Sequence, residues 1–221
     1  MIPKLLYFDL GNVLVTFSHA RMCEQMATVA DVPLDVVRAA VFGGKGVFGV
    51  EEAHAAQIRF ESGQLDADGY YEYFCRATGT RPDRRQLERA FCDIFAPMEE
   101  TWALVRTLAA AGHRLAILSN TNSLQWEWCT DGRFPLLASF GGTSSPFAWA
   151  VLSYEVGTMK PDRPIYAAAV KRAGAPASEI FFVDDRPENV AGGKAAGMDA
   201  VLFTSVEQLT IDLRERGVTG I

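Results

Sequence analysis

Four short segments of this 221-residue chain hold side chains whose types suit one kind of chemistry. Asp9 closes the run Leu5-Leu6-Tyr7-Phe8-Asp9 and is followed by Leu10-Gly11-Asn12-Val13. Ser119 and Asn120 follow Leu118, Lys160 precedes Pro161, and Asp184 and Asp185 follow Val183. Three carboxylates brought within about 4–5 Å repel by a few kcal/mol per pair even at an effective dielectric near 20, so such a cluster implies a cation. Hard oxygen ligands with no histidine or cysteine among them select magnesium over zinc. The chain has three histidines, His19, His54 and His113, and no two are spaced as paired ligands. The Lys160 ammonium, with the hydroxyl of Ser119 and the amide of Asn120, adds charge neutralisation and hydrogen bonds suited to a phosphate. A carboxylate can attack phosphorus in line, giving an aspartyl-phosphate that water later hydrolyses.

Segments this far apart in the chain meet only if the fold gathers them. Five β-rich runs stand out, at Leu5–Phe8, Arg114–Leu118, Ala148–Tyr154, Ile180–Val183 and Ala200–Phe203. The first, second and fourth are nearly all apolar rather than alternating, as strands buried on both faces of a parallel sheet should be. Helices separate them. Met98–Ala111 ends at Gly112, while Pro164–Ala173 and Pro187–Ala196 open on proline and stop at Gly174 and Gly197. The alternation predicts an α/β fold with a doubly wound, Rossmann-like parallel sheet, whose ligands bind beyond the carboxyl ends of the strands. All four segments fall at such ends.

Residues 17–92 break the alternation, because their patterns are helical throughout. Met22, Met26 and Val29 share a stripe, Val50–Phe60 is a second helix, and Asp66 or Asp68 caps a third that runs to Ala77. Arg84–Phe95 makes a fourth, with Leu87, Phe91 and Phe95 on one face. A parallel crossover needs only a dozen or so residues. The expected organisation is therefore an α/β core from residues 1–16 and 93–221, with an all-helical cap inserted at 17–92.

Composition limits the partners. Hydrophobic residues make up 49% and charged residues 22%, an ordinary globular balance, and 21 basic against 27 acidic residues give a net charge of −6. With no polybasic run, neither nucleic acid nor an anionic membrane is an expected partner. No stretch reaches the ~18 apolar residues of a membrane span, and the N-terminus lacks the pattern of a secretory signal. Cys23, Cys75, Cys92 and Cys129 form no Cys-x-x-Cys pair and read as buried reduced thiols. The expected setting is cytoplasmic, as a monomer or homodimer acting on a small molecule.

The order Phe-Asp-Leu-Gly-Asn-Val, Leu-Ser-Asn-Thr-Asn, Lys-Pro-Asp-Arg-Pro-Ile-Tyr and Phe-Val-Asp-Asp-Arg-Pro-Glu-Asn resembles the haloacid dehalogenase (HAD) superfamily over nearly the whole chain. It looks most like the branch of small sugar-phosphate phosphatases that includes the bacterial α-D-glucose-1-phosphate phosphatases. The resemblance implies a magnesium-dependent phosphomonoesterase for a small phosphorylated metabolite, with an anomeric phosphate as one example. Asp9 would be nucleophile and metal ligand, and the Gly11 carbonyl a second ligand. Ser119 and Asn120 would hold phosphoryl oxygens, and Lys160 would stabilise the nucleophile and the transferring group. Asp185 would bind the metal directly, and Asp184 directly or through water. Many members carry a second aspartate two residues after the nucleophile as general acid and base; here that position is Gly11, a loss typically worth about 10²–10⁴-fold.

Competing readings are specific. Asp184 or Asp185 could cap the helix that starts at Pro187, which accounts for one carboxylate and not for a pair beside Asp9. The glycine-rich stretch from Phe42 to Gly49 lacks phosphate-loop spacing and reads as a cap loop, with Lys45 as a substrate-facing candidate. Trp126 and Trp128 read as packing residues that could also shape a pocket rim. Two rival functions are a metal-independent 2-haloacid dehalogenase, to which the acidic pair is useless, and a pseudophosphatase that binds a ligand or partner without turnover.

Overall fold

The computed structural model describes residues 2–43, 50–138, 140, 142 and 145–221, with the side chains of residues 50–52 also left aside. Lys45 and most of the glycine-rich stretch therefore lie outside the described residues. In chain order the elements are β1 Leu5–Phe8, β2 Val15–Phe17, α1 His19–Ala30, α2 Leu34–Phe42, α3 Val50–Glu61, α4 Ala67–Thr78 and α5 Arg84–Cys92. Then follow β3 Phe95–Pro97, α6 Glu99–Ala110, β4 Leu115–Ser119, α7 Ser123–Thr130, α8 Pro135–Ala138, β5 Phe147–Leu152 and α9 Ser153–Val156. The chain ends with α10 Arg163–Ala173, β6 Ile180–Asp184, α11 Pro187–Ala195, β7 Asp199–Leu202 and α12 Val206–Glu215.

Five strands make one parallel sheet in the order β5-β4-β1-β6-β7. The chain winds outward one way through β4 and β5, then restarts beside β1 with β6. That reversal opens a crevice at the carboxyl ends of β1 and β6, the place where open α/β sheets bind ligands. Every residue of β1, β4 and β6 is buried, because helices cover both faces. Leu6, Phe8, Ile117, Phe181 and Val183 face Trp102, Val105, Leu108, Leu209 and Leu213 from α6 and α12. Leu5, Tyr7, Leu118, Ile180 and Phe182 face Ile165, Tyr166, Ala169 and Val190 from α10 and α11. Burial on both sides is what turned these runs wholly apolar.

Helices α1–α5 bury a third cluster among themselves, including Met22, Met26, Val37, Phe60, Phe74 and Phe91. Phe60 stacks on Tyr70 with centroids 4.6 Å apart, and Tyr70 leans on Phe91 at 5.4 Å. Asp66, not Asp68, is the N-cap of α4, accepting from the Gly69 N–H.

Two expectations need correction. The helix read as Arg84–Phe95 stops at Cys92, and Phe95 instead opens β3, which pairs antiparallel with β2: Val15 with Pro97, Thr16 with Ala96, Phe17 with Phe95. Pro97 forces its predecessor toward extended backbone and cannot continue a helix, so the apolar stripe was misleading at its end. The strand read as Ala148–Tyr154 ends at Leu152, and Ser153 starts the short α9.

The sheet centre depends on close packing of large side chains. Phe182 is fully buried in β6, so Phe182→Ala should cost about 3–5 kcal/mol of unfolding free energy. A urea titration checks this; a loss under about 1 kcal/mol would contradict the packing described.

Candidate active site

Asp9 prolongs β1 by one residue, its N–H donating to the Val183 carbonyl at 3.0 Å. Its side chain is 10% exposed. Oδ1 accepts from the Leu10 N–H at 2.7 Å and lies 2.9 Å from the Lys160 ammonium. The chain then turns sharply, with the Leu14 and Val15 N–H groups both donating to the Leu10 carbonyl. At the tip of the turn Asn12 has φ +54°, a left-handed conformation that asparagine tolerates better than most residues. Its side chain donates to Asp185 Oδ2 at 2.9 Å.

Lys160 is buried and uses all three of its N–H donors. They go to Asp9 Oδ1 at 2.9 Å, Asp184 Oδ2 at 2.5 Å and the Leu118 carbonyl at 2.8 Å. One ammonium thus ties together the ends of β1, β4 and β6. Asn120 fixes the backbone beneath it, accepting from the Lys160 N–H at 2.8 Å and donating to the Lys160 carbonyl at 2.8 Å. Asn120 therefore has one amide hydrogen and its backbone N–H left for a ligand. Ser119 is buried at the same strand end.

Asp184 is wholly buried. Besides Lys160 on Oδ2, its Oδ1 accepts from the Arg186 N–H and the Asn189 side chain, each at 2.9 Å. The capping reading fails: Arg186 is the N-cap of α11 and neither carboxylate accepts from the helix's first-turn N–H groups, the Arg186 N–H that binds Asp184 belonging to the cap residue itself. Asp185 is half-buried and faces the cavity. One oxygen from each of Asp9, Asp184 and Asp185 lies within 4.8 Å of the others. The donors are all hard oxygens, and charges this close are tolerable beside a divalent cation. The site fits magnesium by that criterion.

The electrostatics follow from burial. Desolvation pushes the Asp9 carboxyl above its usual range; Lys160 opposes this and Asp184 adds to it. Burial by itself would lower the Lys160 ammonium, but Asp9 and Asp184 hold it above its ordinary value. A cation at the cluster would reverse the trend at Asp9, because positive charge favours the ionised carboxylate.

These groups floor a cavity of about 470 Å³, well inside the usual range for small-molecule sites. Ser119, Asn120, Lys160 and Asp185 line it from the sheet, Phe17 and Phe95 from the β2–β3 hairpin, and His19 and Glu61 from α1 and α3. A larger hollow of about 590 Å³ between α1 and α2, along residues 24–34, gathers no such cluster. A Cβ on Gly11 would meet Phe17 Cε1 at 2.9 Å, so the Phe17 ring occupies the space into which a side chain at position 11 would grow.

All seven residues singled out in the sequence therefore meet at one sheet edge. Sequence reading gave no role to Asn12, Asn189, His19 or Glu61. Asn12 and Asn189 were within the quoted motifs, and an asparagine near each acidic position was the available signal. Glu61 had none, being an acidic residue near the end of an amphipathic helix.

Lys160→Met should destabilise the fold by about 3–5 kcal/mol, since it leaves buried carboxylates without their counter-charge. Magnesium should recover part of that loss. Urea unfolding with and without the ion measures both, and a change below about 1 kcal/mol would show that the ammonium is not the tie described.

The comparisons with known proteins fit this geometry. The chain is 26% identical over 161 residues to a chloroplast flavin mononucleotide hydrolase of Arabidopsis thaliana, covering 73% of this chain and 62% of that protein. It is 23% identical over 197 residues to a D-ribitol-5-phosphate phosphatase of Bacteroides thetaiotaomicron, covering 89% of each. A HAD family enzyme of the same bacterium, solved as a magnesium complex, superposes with a TM-score of 0.76 at 23% identity over 96% of this chain and 98% of that one. No helix among the described residues is long and apolar enough to cross a membrane. The sequence model for haloacid dehalogenase-like hydrolases matches residues 3–197, and with the sheet order and strand-end cluster already described, this chain belongs to that hydrolase family.

Proposed function

We propose that the protein is a magnesium-dependent phosphomonoesterase that forms an aspartyl-phosphate on Asp9 and acts on a small phosphorylated metabolite, with a sugar phosphate favoured. The observation that carries this reading is the Asp9–Asp184–Asp185 cluster beside the buried Lys160 ammonium on the floor of one cavity. Asp9, Asp185 and the Gly11 carbonyl would hold the metal. Asp184, already accepting three protein donors, would reach it through water. When bound, the metal supplies positive charge against the phosphoryl oxygens and keeps Asp9 ionised.

The chain's own groups do the rest. Leu10 and Lys160 hold Asp9 Oδ1, which leaves Oδ2 to attack phosphorus. Ser119 and the free N–H groups of Asn120 donate to the equatorial oxygens. Lys160 balances the charge that builds on nucleophile and phosphoryl group. Residues 17–92 would serve as a cap over the core formed by 1–16 and 93–221, excluding bulk water and shaping the leaving-group side. Curated relatives named for hydrolysis of phosphate esters support the reading. A dehalogenase, whose aspartate attacks carbon without a metal, has no use for the Asp184–Asp185 pair.

Hydrolysis of p-nitrophenyl phosphate should require magnesium and disappear with EDTA. Asp9→Asn should lower kcat by several orders of magnitude, as removal of a nucleophile does. Turnover that survives either treatment sinks the proposal.

A further inference from the structure

An alkoxide expelled from a phosphate ester needs a proton, and position 11 has no side chain to give one. Phe17 fills the space where such a side chain would stand. The donor must come from elsewhere on the cavity wall, on the side away from Asp9, because the leaving group departs in line with the attack. Two described side chains from α1–α5 that line the cavity carry titratable groups, His19 and Glu61.

We infer that Glu61 is the proton donor to the leaving group, a role that rests on the phosphomonoesterase reading above. Its placement is built rather than incidental. The Ser153 hydroxyl at the start of α9 donates to the Glu61 carbonyl at 2.6 Å and accepts from the Thr121 N–H at 3.0 Å. The last turn of α3 is thereby tied to the end of β4, two residues past Ser119. Gly63 follows with φ +68°, and a Cβ there would fall on the Tyr154 carbonyl oxygen, so the turn sits flush against α9. The Glu61 side chain is held as well: Gln57 donates to its Oε1 at 2.5 Å, and Tyr70 in turn donates to Gln57 at 3.1 Å.

Chemistry separates the two candidates. Desolvation raises the Glu61 carboxyl above its usual range, against the lowering effects of Gln57, Arg186 and His54. Desolvation lowers the His19 imidazolium. These directions bias Glu61 toward keeping its proton and His19 toward losing one. The titratable and charged groups that act on Glu61 are His54 on its own helix, Arg186 before α11 and Tyr70 on α4. A bound phosphate dianion would raise Glu61 further.

In the first step Asp9 Oδ2 bonds to phosphorus as the phosphorus–oxygen bond to the leaving group breaks. The departing oxygen keeps the electron pair and takes the Glu61 proton, leaving an alcohol and a Glu61 carboxylate. In the second step that carboxylate takes a proton from water as the water oxygen bonds to phosphorus and the phosphorus–Asp9 Oδ2 bond breaks, its electron pair returning to Asp9. Inorganic phosphate leaves, and Asp9 carboxylate and protonated Glu61 are restored.

The test compares Glu61→Gln with the wild type on p-nitrophenyl phosphate, whose leaving group departs without protonation, and on the best substrate from a panel of primary polyol and sugar phosphates. Glu61→Gln should lower kcat/KM about 10²-fold or more on the alkyl phosphate and under about threefold on the aryl one. The wild type's alkyl activity should fall as pH rises through the Glu61 titration, and the variant should lack that limb. Equal losses on both substrates, no loss on either, an unchanged alkaline limb, or a wild type confined to aryl phosphates would each overturn the role of Glu61. A wild type inactive on both classes would instead overturn the phosphomonoesterase reading beneath it.

Discussion

The ammonium of Lys160 is the contact on which the rest of the site depends. Placing a cation under complete burial is expensive unless its charge and all its donors are met. Here they are met by two carboxylates and a carbonyl from three different strands. The arrangement works in both directions. Asp9 and Asp184 could not sit so close without the ammonium, and Lys160 could not be buried without them. A parallel sheet suits this, since neighbouring strands all deliver their carboxyl ends to one edge.

Around that centre, neighbouring side chains hold the acidic groups in fixed poses. Asn120 clamps the Lys160 backbone through both ends of its amide. Asn189 and the Arg186 N–H occupy the far oxygen of Asp184, and Asn12 steers Asp185. The result divides the acidic pair. Asp184 accepts three protein donors deep in the fold, whereas Asp185 stays half-buried at the cavity. Residues adjacent in sequence thereby receive different environments and different chemistry.

The cavity owes its shape to two pieces outside the main sheet. The β2–β3 hairpin brings Phe17 and Phe95 to the rim, and Phe17 fills the space above Gly11. Helices α1–α5 carry their own buried cluster and deliver His19 and Glu61. One of their links to the core runs through small groups that permit close approach, the Ser153 hydroxyl and Gly63.

Much of this was legible in the sequence, for a physical reason. Strands buried on two faces must be apolar along their whole length, so Leu5–Phe8 and Ile180–Val183 declared themselves, and with them the carboxylates at their ends. Helices punctuated by proline and glycine were readable within a residue or two. The three-residue strands β2 and β3 were not, because each is too short for a period and finds its partner about 80 residues away, as the Thr16–Ala96 pairing does. For the same reason the apolar stripe of α5 was carried past its true end. Local chemistry also left no mark of how Asp184 and Asp185 differ or where Asn120 points. Nor did it reveal that a glutamate on α3 faces the nucleophile's cavity. Residue types and local periodicity set the strands, the helices and the inventory of reactive groups. Which groups share a buried charge, and which side chain fills the space beside Gly11, depended on contacts between segments far apart in the chain, and only tertiary packing decides those.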